Sequence, residues 1–223
     1  MSRPRVVPRR VGRTIRGTGR RRGRAGSVRR DGAVADVVVR REAALSRCVA
    51  FLRAINVGGH IVKMEQLRRE FESLGFSGVE TFIASGNVIF QSRSQNWRQL
   101  EARIEKHLQK VLGYEVATFI RSPAELRQVA NQRPFLLADH KAAGHSLLVA
   151  FFSSPPSREA AKNLMAFRSE TDDFHLSDRE VYWLCRTRIS DSRFTGARLE
   201  KIVGMRGTIR NITTVRKLAE RYE

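Results

Sequence analysis

Three short polar segments of the sequence contain residue types that bind small anions. One follows a long apolar run, one is a Ser-Gly-Asn turn, and one is an Arg-Asn pair near the C-terminus. Glycine lets backbone N–H groups approach a phosphate or carboxylate closely, and an arginine can bind the same group through two parallel hydrogen bonds. We therefore predict a site for a small anionic ligand. Its candidate residues are Asn56, Gly58, Gly59, Ser85, Asn87, Arg210 and Asn211.

Each of these segments also has a structural interpretation. Residues 56–59 lack the spacing of either phosphate-loop fingerprint and are typical of a turn between a strand and a helix. The Ser-Gly-Asn segment suits a hairpin turn, because glycine and asparagine tolerate positive φ. Asn211 could cap a helix while Arg210 holds the chain terminus. We therefore expect only some of the candidates to converge, with Asn56 and Arg210 the pair expected to meet.

No arrangement in the sequence indicates a catalytic or metal site. The five histidines form none of the HxH, HxxxH or HExxH spacings of metal sites, and no GxSxG nucleophile motif is present. We predict neither a metal nor a cofactor, and the catalytic residues, if any, are unknown. Three acids around a predicted hairpin, Asp172, Asp173 and Asp178, are expected to be solvated. Cys48 and Cys185 lie in apolar runs and are expected to be buried thiols.

The net charge of +20 is concentrated near the N-terminus. Residues 1–47 contain fifteen arginines and three acids, whereas the rest of the chain is moderately basic. Segment 1–44 has few large apolar residues, and we predict that it is disordered. Three explanations stay open: an arm that binds nucleic acid non-specifically, a targeting peptide, and upstream read-through of a GC-rich gene. No apolar run approaches the length of a membrane span, so no membrane partner and a cytoplasmic location are expected.

The secondary-structure elements that must position these residues begin near Cys48. Residues 48–57 form an apolar run, interrupted by Arg53, that is typical of a central strand. Helical and strand patterns then alternate in the order strand, helix, strand, strand, helix, strand, and the same order recurs after residue 145. The sequence therefore predicts an α+β protein with two ferredoxin-like (alpha-beta plait) subdomains related by internal duplication.

The predicted boundaries follow from these patterns. The first subdomain covers residues 45–121, and the second, with a C-terminal helix, covers residues 146–223. Residues 122–145 are predicted to form a connector, whose short helix begins with a capping box at Ser122. The third strand lacks the aromatic signature of an RNA-recognition motif, so Phe51 is expected in the core rather than on a base-stacking sheet.

Three stretches of the chain resemble one bacterial family. Residues 49–59 are similar to its opening FLRGINVGG, residues 81–90 to its tyiqSGNvvf, and residues 208–218 to its T.RNw.Tv.kL. These matches keep their order and spacing, and the chain is identified as a member of the family called domain of unknown function 1697. Two residues depart from the family pattern: Ala54 stands where the family often has Gly, and Ile212 where it often has Trp.

The resemblance implies two plait-like subdomains in a small bacterial protein whose activity is itself unassigned. We expect a binding or interaction module with an unidentified ligand. The alternative is an enzyme of unknown reaction that acts on a small anionic or phosphorylated substrate through the loops of Asn56, Asn87 and Arg210.

Overall fold

Two antiparallel sheets and six helices make up the part of the chain that the computed structural model describes, residues 44–56, 59–136 and 142–222. The strands are β1 (Ser46–Leu52), β2 (Ser77–Thr81), β3 (Asn87–Ser92), β4 (Thr118–Arg121), β5 (Ser146–Phe151), β6 (Asp172–Ser177), β7 (Glu180–Cys185) and β8 (Thr208–Asn211). The helices are α1 (Met64–Ser73), α2 (Trp97–Leu112), α3 (Pro123–Asn131), α4 (Arg158–Met165), α5 (Gly196–Val203) and α6 (Ile212–Arg221). A 3₁₀ turn spans Ile189–Asp191.

The strands follow the same order in both sheets. The first sheet has the order β2-β3-β1-β4 and the second the order β6-β7-β5-β8. The central strands β1 and β5 therefore each pair with antiparallel neighbours on both sides. In register, Val49 of β1 lies opposite Arg121 of β4, and Val149 of β5 lies opposite Arg210 of β8. The predicted mixed α+β class is confirmed, and each half of the chain forms one four-stranded sheet.

Successive residues of the central strands point to two different apolar layers, as the alternation of a strand requires. In β1, Cys48, Ala50 and Leu52 pack with residues of α1 and α2. Val49 and Phe51 instead join a central layer that contains residues from both sheets. The second sheet follows the same rule, with α4 and α5 on its outer side. The two sheets therefore face each other across one shared core.

Helices α3 and α6 pack against each other and fill part of this central layer. Leu126 and Val129 of α3 are buried there, together with Val215 and Leu218 of α6. The short helix that the sequence places in a connector is thus a component of the core. Its apolar face closes the space between the sheets that the strands alone leave open.

Local sequence signals define several helix ends, and the predicted capping box at Ser122 is confirmed. The Ser122 hydroxyl accepts the Glu125 N–H, and the Glu125 carboxylate accepts the Ser122 N–H, which completes the capping box at the start of α3. Gly113 ends α2 with a φ of 79°, in the left-handed region where glycine avoids a steric penalty. The Asn96 side chain accepts the Gln99 N–H and caps the start of α2.

The end of the first strand differs from the sequence-based expectation. The strand predicted over residues 48–57 ends at Leu52. Beyond it, Ala54 and Asn56 adopt φ values of 62° and 55°, which turn the chain away from the sheet. An apolar run therefore continues past the strand into a tight turn, where the apolar residue Ile55 is still buried.

The expectation that Asp172 is solvated is wrong. Its carboxylate is buried and accepts hydrogen bonds from the Trp183 indole at 2.7 Å and from the Ser192 hydroxyl at 3.0 Å. Asp173 pairs with Arg168 on the surface, and Asp178 is exposed. Asp172 is thus a structural residue that satisfies two polar groups inside the second half of the chain.

Three further expectations concern the two cysteines, the N-terminal segment and membrane-spanning helices. Cys48 and Cys185 are free and fully buried, as expected. Segment 1–44 is predicted to be disordered, and its residues 1–43 lie outside the described part of the chain. Val57, Gly58 and residues 137–141 also lie outside it. Among the residues that the structure describes, no helix is both long and apolar enough to span a membrane.

Replacing Ala54 by glycine should stabilise the protein. An L-residue in the left-handed region costs about 1–2 kcal/mol, and glycine adds back about 0.5–1 kcal/mol of backbone entropy to the unfolded chain. We expect Ala54→Gly to raise the free energy of unfolding by about 0.5–1 kcal/mol in urea denaturation. Ala102→Gly, in the exposed middle of α2, is the matched control and should lower it by about 1 kcal/mol. A loss of stability in both variants would disprove the strain at Ala54.

Candidate functional site

Two buried arginines cross the space between the sheets in opposite directions. Arg121 ends β4 of the first sheet, and Arg210 lies in β8 of the second. They are 1% and 8% exposed. Their positions correspond, since Arg121 lies opposite Val49 and Arg210 opposite Val149 in the two central strands. Each side chain leaves its own sheet and contacts the other.

Arg121 binds the end of the central strand in the second sheet. Its Nε donates to Glu180 Oε1 at 2.6 Å, and its Nη2 donates to the Phe152 carbonyl at 2.9 Å. Its Nη1 donates to the carbonyl of the preceding residue, Ile120. The guanidinium carbon also lies 5.4 Å from the Phe151 ring centroid, within the range of a cation–π contact.

Arg210 makes the corresponding contacts with the first sheet. Its Nε donates to Asn87 Oδ1 at 2.6 Å, and its Nη2 donates to the Leu52 carbonyl at 2.8 Å. Its Nη1 donates to the carbonyl of the preceding residue, Ile209. The guanidinium carbon lies 5.8 Å from the Phe51 ring centroid. Every one of these contacts has a counterpart around Arg121.

The two aromatic rings that the arginines cover stack on each other. The Phe51 and Phe151 centroids are 4.1 Å apart, and the ring planes differ by 11°. Both rings are fully buried at the ends of the central strands. The order guanidinium, ring, ring, guanidinium therefore links the two sheets at the centre of the shared layer. Phe51 is a core residue, as expected, and its main partner is in the opposite sheet.

The two arginines differ in the charge of their partner. Arg121 pairs with the Glu180 carboxylate, whereas Arg210 meets only the neutral amide of Asn87 at the same place. The other donors of Arg210 are bound to backbone carbonyls and a hydroxyl. Among the described residues no carboxylate lies within ion-pair distance of Arg210. Burial lowers the pKa of Arg210 to about 10, so the group keeps its charge at neutral pH.

The turn before β3 explains why residue 87 is an amide. The Asn87 Nδ2 donates to the Phe82 carbonyl and to Ser85 Oγ, both at 2.9 Å, while its Oδ1 accepts from Arg210. An aspartate would place a carboxylate oxygen against the Phe82 carbonyl, because it has no donor to offer. The turn therefore requires a residue that both donates and accepts, and this requirement leaves Arg210 without a counter-ion.

A cavity of about 380 Å³ opens beside Arg210. One wall is the turn after β1 together with Ser85, and the other is formed by α5 and β8. Most of the lining is apolar, which is usual for pockets that bind organic molecules. The apolar lining residues are Leu52, Ala54, Ile55, Ala150, Phe152, Leu199 and Ile209.

Two glycines let the second wall pack closely. A Cβ on Gly207 would lie 2.6 Å from the Phe152 ring, and one on Gly196 would lie 2.9 Å from Ile209 Cδ1. Neither distance is possible for a real side chain without movement of its neighbours. Glycine at both positions therefore allows the start of α5 and the start of β8 to close around the cavity.

An ion pair between the two halves of the chain lies at the cavity. Arg53 Nε and Nη2 donate to the two Glu200 oxygens at 2.8 and 3.0 Å. Glu200 Oε1 also accepts the Gly207 N–H at 2.8 Å. Burial alone would raise the pKa of Glu200, but the hydrogen bonds from Arg53 and Gly207 together hold it below its usual value. The Arg53 charge is thus neutralised within the protein, whereas that of Arg210 is not.

The structure brings four of the candidate residues around one turn. Ser85 and Arg210 line the cavity, and Asn87 contacts both of them. Asn56 donates to the Ala84 carbonyl of the same turn and accepts the Val62 N–H. The side chain of Asn56 therefore holds its own loop against the turn, and its convergence with Arg210 on a ligand stays a prediction.

The remaining candidates lie elsewhere or outside the described residues. Asn211 is exposed and caps α6, where its side chain accepts the Thr213 N–H at 2.9 Å. Gly59 is exposed with a φ of 87°, and nothing lies near the position of a Cβ there. Gly58 is outside the described residues. Asn211 therefore has the structural role that the sequence offered as the alternative to binding.

Sequence reasoning missed the residues that complete this region. Arg121 and Glu180 gave no signal, because each is one polar residue at the end of a short apolar strand. Arg53 was visible only as an interruption of an apolar run. Its partner Glu200 lies 147 residues further along the chain. Such pairs depend on how the two sheets meet, which local patterns do not describe.

A second cavity of about 640 Å³ lies beside the outer edge of β4. Two glutamates of α2 reach this edge, where Glu101 accepts the Ile120 N–H and Glu105 accepts the Thr118 N–H, both at 2.8 Å. Burial raises the pKa of both carboxyl groups, although the N–H donors oppose the shift. The carboxylates satisfy backbone groups that an edge strand would otherwise leave unpaired.

Comparison with known proteins places this architecture in a family. Residues 45–182 match the family described as protein of unknown function (DUF1697), and the chain belongs to that family. It is similar in structure to the conserved bacterial protein SP0830 from Streptococcus pneumoniae, with a TM-score of 0.65 and 20% sequence identity over 80% of this chain and 99% of the other. That likeness concerns the fold alone. No curated protein matches the sequence.

Replacing Glu180 by glutamine should give Arg121 a neutral amide partner, like the one that Asn87 provides for Arg210. The hydrogen-bond acceptor stays, but a fully buried guanidinium loses its counter-ion, so we expect the free energy of unfolding to fall by about 1–3 kcal/mol. Urea denaturation measures this change. Glu170→Gln removes the same charge from an exposed position and should change stability by less than about 0.5 kcal/mol. Equal effects in the two variants would show that the buried ion pair contributes nothing.

Proposed function

We propose that the protein binds a small organic anion in the cavity beside Arg210. The observation that carries this proposal is a charged guanidinium, nine-tenths buried, that borders a cavity and has no carboxylate partner among the described residues. A buried charge without a counter-ion is unfavourable, and a bound anion would relieve that cost. Arg121, at the corresponding position in the first sheet, has its own carboxylate and would gain nothing from an anion.

Arg210 would attract the ligand through its charge rather than through new hydrogen bonds. All of its nitrogens already donate to oxygens of the protein. Direct donors are available elsewhere in the lining, where Ser85 carries a hydroxyl and Gly196 and Ala197 begin α5. The first N–H groups of a helix have no partner within the helix and favour a negative group. An anion between these donors and Arg210 would have both charge and hydrogen bonds satisfied.

The lining restricts the rest of the ligand. A volume of about 380 Å³ is at the small end of the range for ligand pockets. Because the walls are mainly apolar, the ligand should combine a carboxylate or phosphate with a small apolar body. This supports a binding module as the function. An enzyme that acts through the loops of Asn56, Asn87 and Arg210 stays the alternative, and turnover of a bound ligand would distinguish it.

We further propose that the two halves are ferredoxin-like subdomains that arose by internal duplication, over residues 45–121 and 146–223 with a connecting segment at 122–145. The identical strand orders and the corresponding positions of Arg121 and Arg210 support this relationship. A cytoplasmic location and non-specific nucleic-acid binding by residues 1–44 stay predictions.

Ala197 provides the test of the proposed site. It is exposed in the first turn of α5 and borders the cavity, so Ala197→Asp adds a negative charge where the helix tolerates one. We expect benzoate to raise the melting temperature of the natural protein, whereas its neutral analogue benzamide should not. Ala197→Asp should weaken benzoate binding at least tenfold, as measured by calorimetry, because like charges repel.

Ala197→Asn is the matched control, since it has the same size without the charge. It should retain benzoate binding within about threefold. Two results would refute the site: no carboxylate in a panel of aryl and alkyl acids stabilises the protein, or benzoate binds with equal affinity to the Asp and Asn variants.

A further inference from the structure

A second pair of arginines meets at the C-terminal end of α3, apart from the cavity. Arg133 Nη1 and Arg216 Nε both donate to the Ala130 carbonyl, at 2.8 and 3.3 Å. Arg133 Nη1 also donates to the Gln132 carbonyl at 2.9 Å. Two like charges on different segments of the chain therefore share one neutral acceptor. None of these residues lines the cavity beside Arg210.

The charges and donors of this pair are incompletely satisfied. Among the described residues, no carboxylate lies within ion-pair distance of either guanidinium. Arg216 Nη2 is buried and has no hydrogen-bond partner. The arginines that link the sheets differ in this respect, because their nitrogens all have acceptors. A buried N–H donor without an acceptor is uncommon in folded proteins and calls for an additional partner.

The electrostatic surroundings also favour an anion. Burial first, and the Arg133 charge second, lower the pKa of Arg216. The Glu220 carboxylate, one turn further along α6, opposes this shift but does not form an ion pair with Arg216. Capping of the last carbonyls of α3 accounts for one arginine at this position. It does not account for the second like charge or for the unbonded Nη2.

We propose that Arg133 and Arg216 bind a phosphate group, either free phosphate or a small phosphate monoester. A dianionic phosphate matches two guanidinium groups in charge, and its oxygens accept the paired N–H donors of arginine in a planar, bidentate geometry. One phosphate oxygen would accept from the buried Arg216 Nη2. The remaining oxygens would contact Arg133, whose exposed side chain can turn toward the ligand. This site is independent of the proposed function.

The test must separate this site from the many other arginines of the chain. We propose titrating the full chain with inorganic phosphate, and separately with phenyl phosphate, at constant ionic strength while NMR records the backbone amides of residues 130–133 and the Arg216 side-chain N–H. A saturable shift at these nuclei is expected. Diffuse binding to surface arginines should instead give shifts that grow without saturation. Phenyl phosphate that binds more tightly than phosphate would identify a monoester as the ligand class.

Substitutions give the second readout. Arg216→Gln and Arg133→Gln should each weaken the saturable binding at least tenfold, whereas Arg158→Gln, an exposed arginine at the start of α4, should not change it. Arg133→Gln keeps the test valid if Arg216→Gln fails to fold. Ala197→Asp should leave phosphate binding here intact. The proposal is overturned if residues 130–133 show no saturable shift, or if binding survives both glutamine substitutions, in which case the two arginines only cap α3.

Discussion

The rest of the structure depends on the reciprocal contacts of two arginines, each of which lies in one sheet and binds the other. Arg121 and Arg210 each leave the sheet that carries them and bind the carbonyl at the end of the other sheet's central strand. Between them, Phe51 and Phe151 stack at the middle of the shared core. Apolar packing would bring the sheets together in many arrangements. The directional hydrogen bonds of two guanidinium groups select one of them, since each arginine must meet its acceptors without leaving a buried donor unsatisfied.

The candidate site follows from a difference between the two arginines: Arg121 has a carboxylate partner and Arg210 has none among the described residues. Glu180 neutralises Arg121, but the turn before β3 requires a donor and an acceptor at position 87, which the Asn87 amide supplies and a carboxylate would not. The cost of the uncompensated charge at Arg210 is therefore built into a turn that the fold needs. The same turn, together with the early end of β1 and the glycines near α5, leaves a cavity at that charge. The turn before β3 is thus a cause of both the uncompensated charge and the cavity in which we propose that an anion binds.

The sequence predicted those features that depend on neighbouring residues. The capping box at Ser122 and the burial of Cys48 and Cys185 both follow from local pattern. The order of strands and helices followed from periodicity, and the resemblance to the family was confirmed by the match over residues 45–182.

Features that depend on the meeting of distant segments were not predictable in this way. The burial of Asp172 requires Trp183 and Ser192, and the pair of Arg53 and Glu200 spans most of the described chain. The only available sign was Arg53, a charged residue that interrupts an apolar run. Likewise, the end of β1 depends on two non-glycine residues with positive φ, which composition gives no reason to expect.

The most direct test of the central claim is native-state hydrogen exchange of the two central strands over a range of urea concentrations. The reciprocal contacts of Arg121 and Arg210 and the stacked rings are expected to join the sheets into one cooperative unit. In that case, the slowest amide protons of β1 and β5 will exchange with solvent with the same opening free energy and the same dependence on urea. A clearly lower opening free energy for one strand would contradict the account. It would mean that one sheet unfolds while the other stays intact, and that the buried arginines do not couple them.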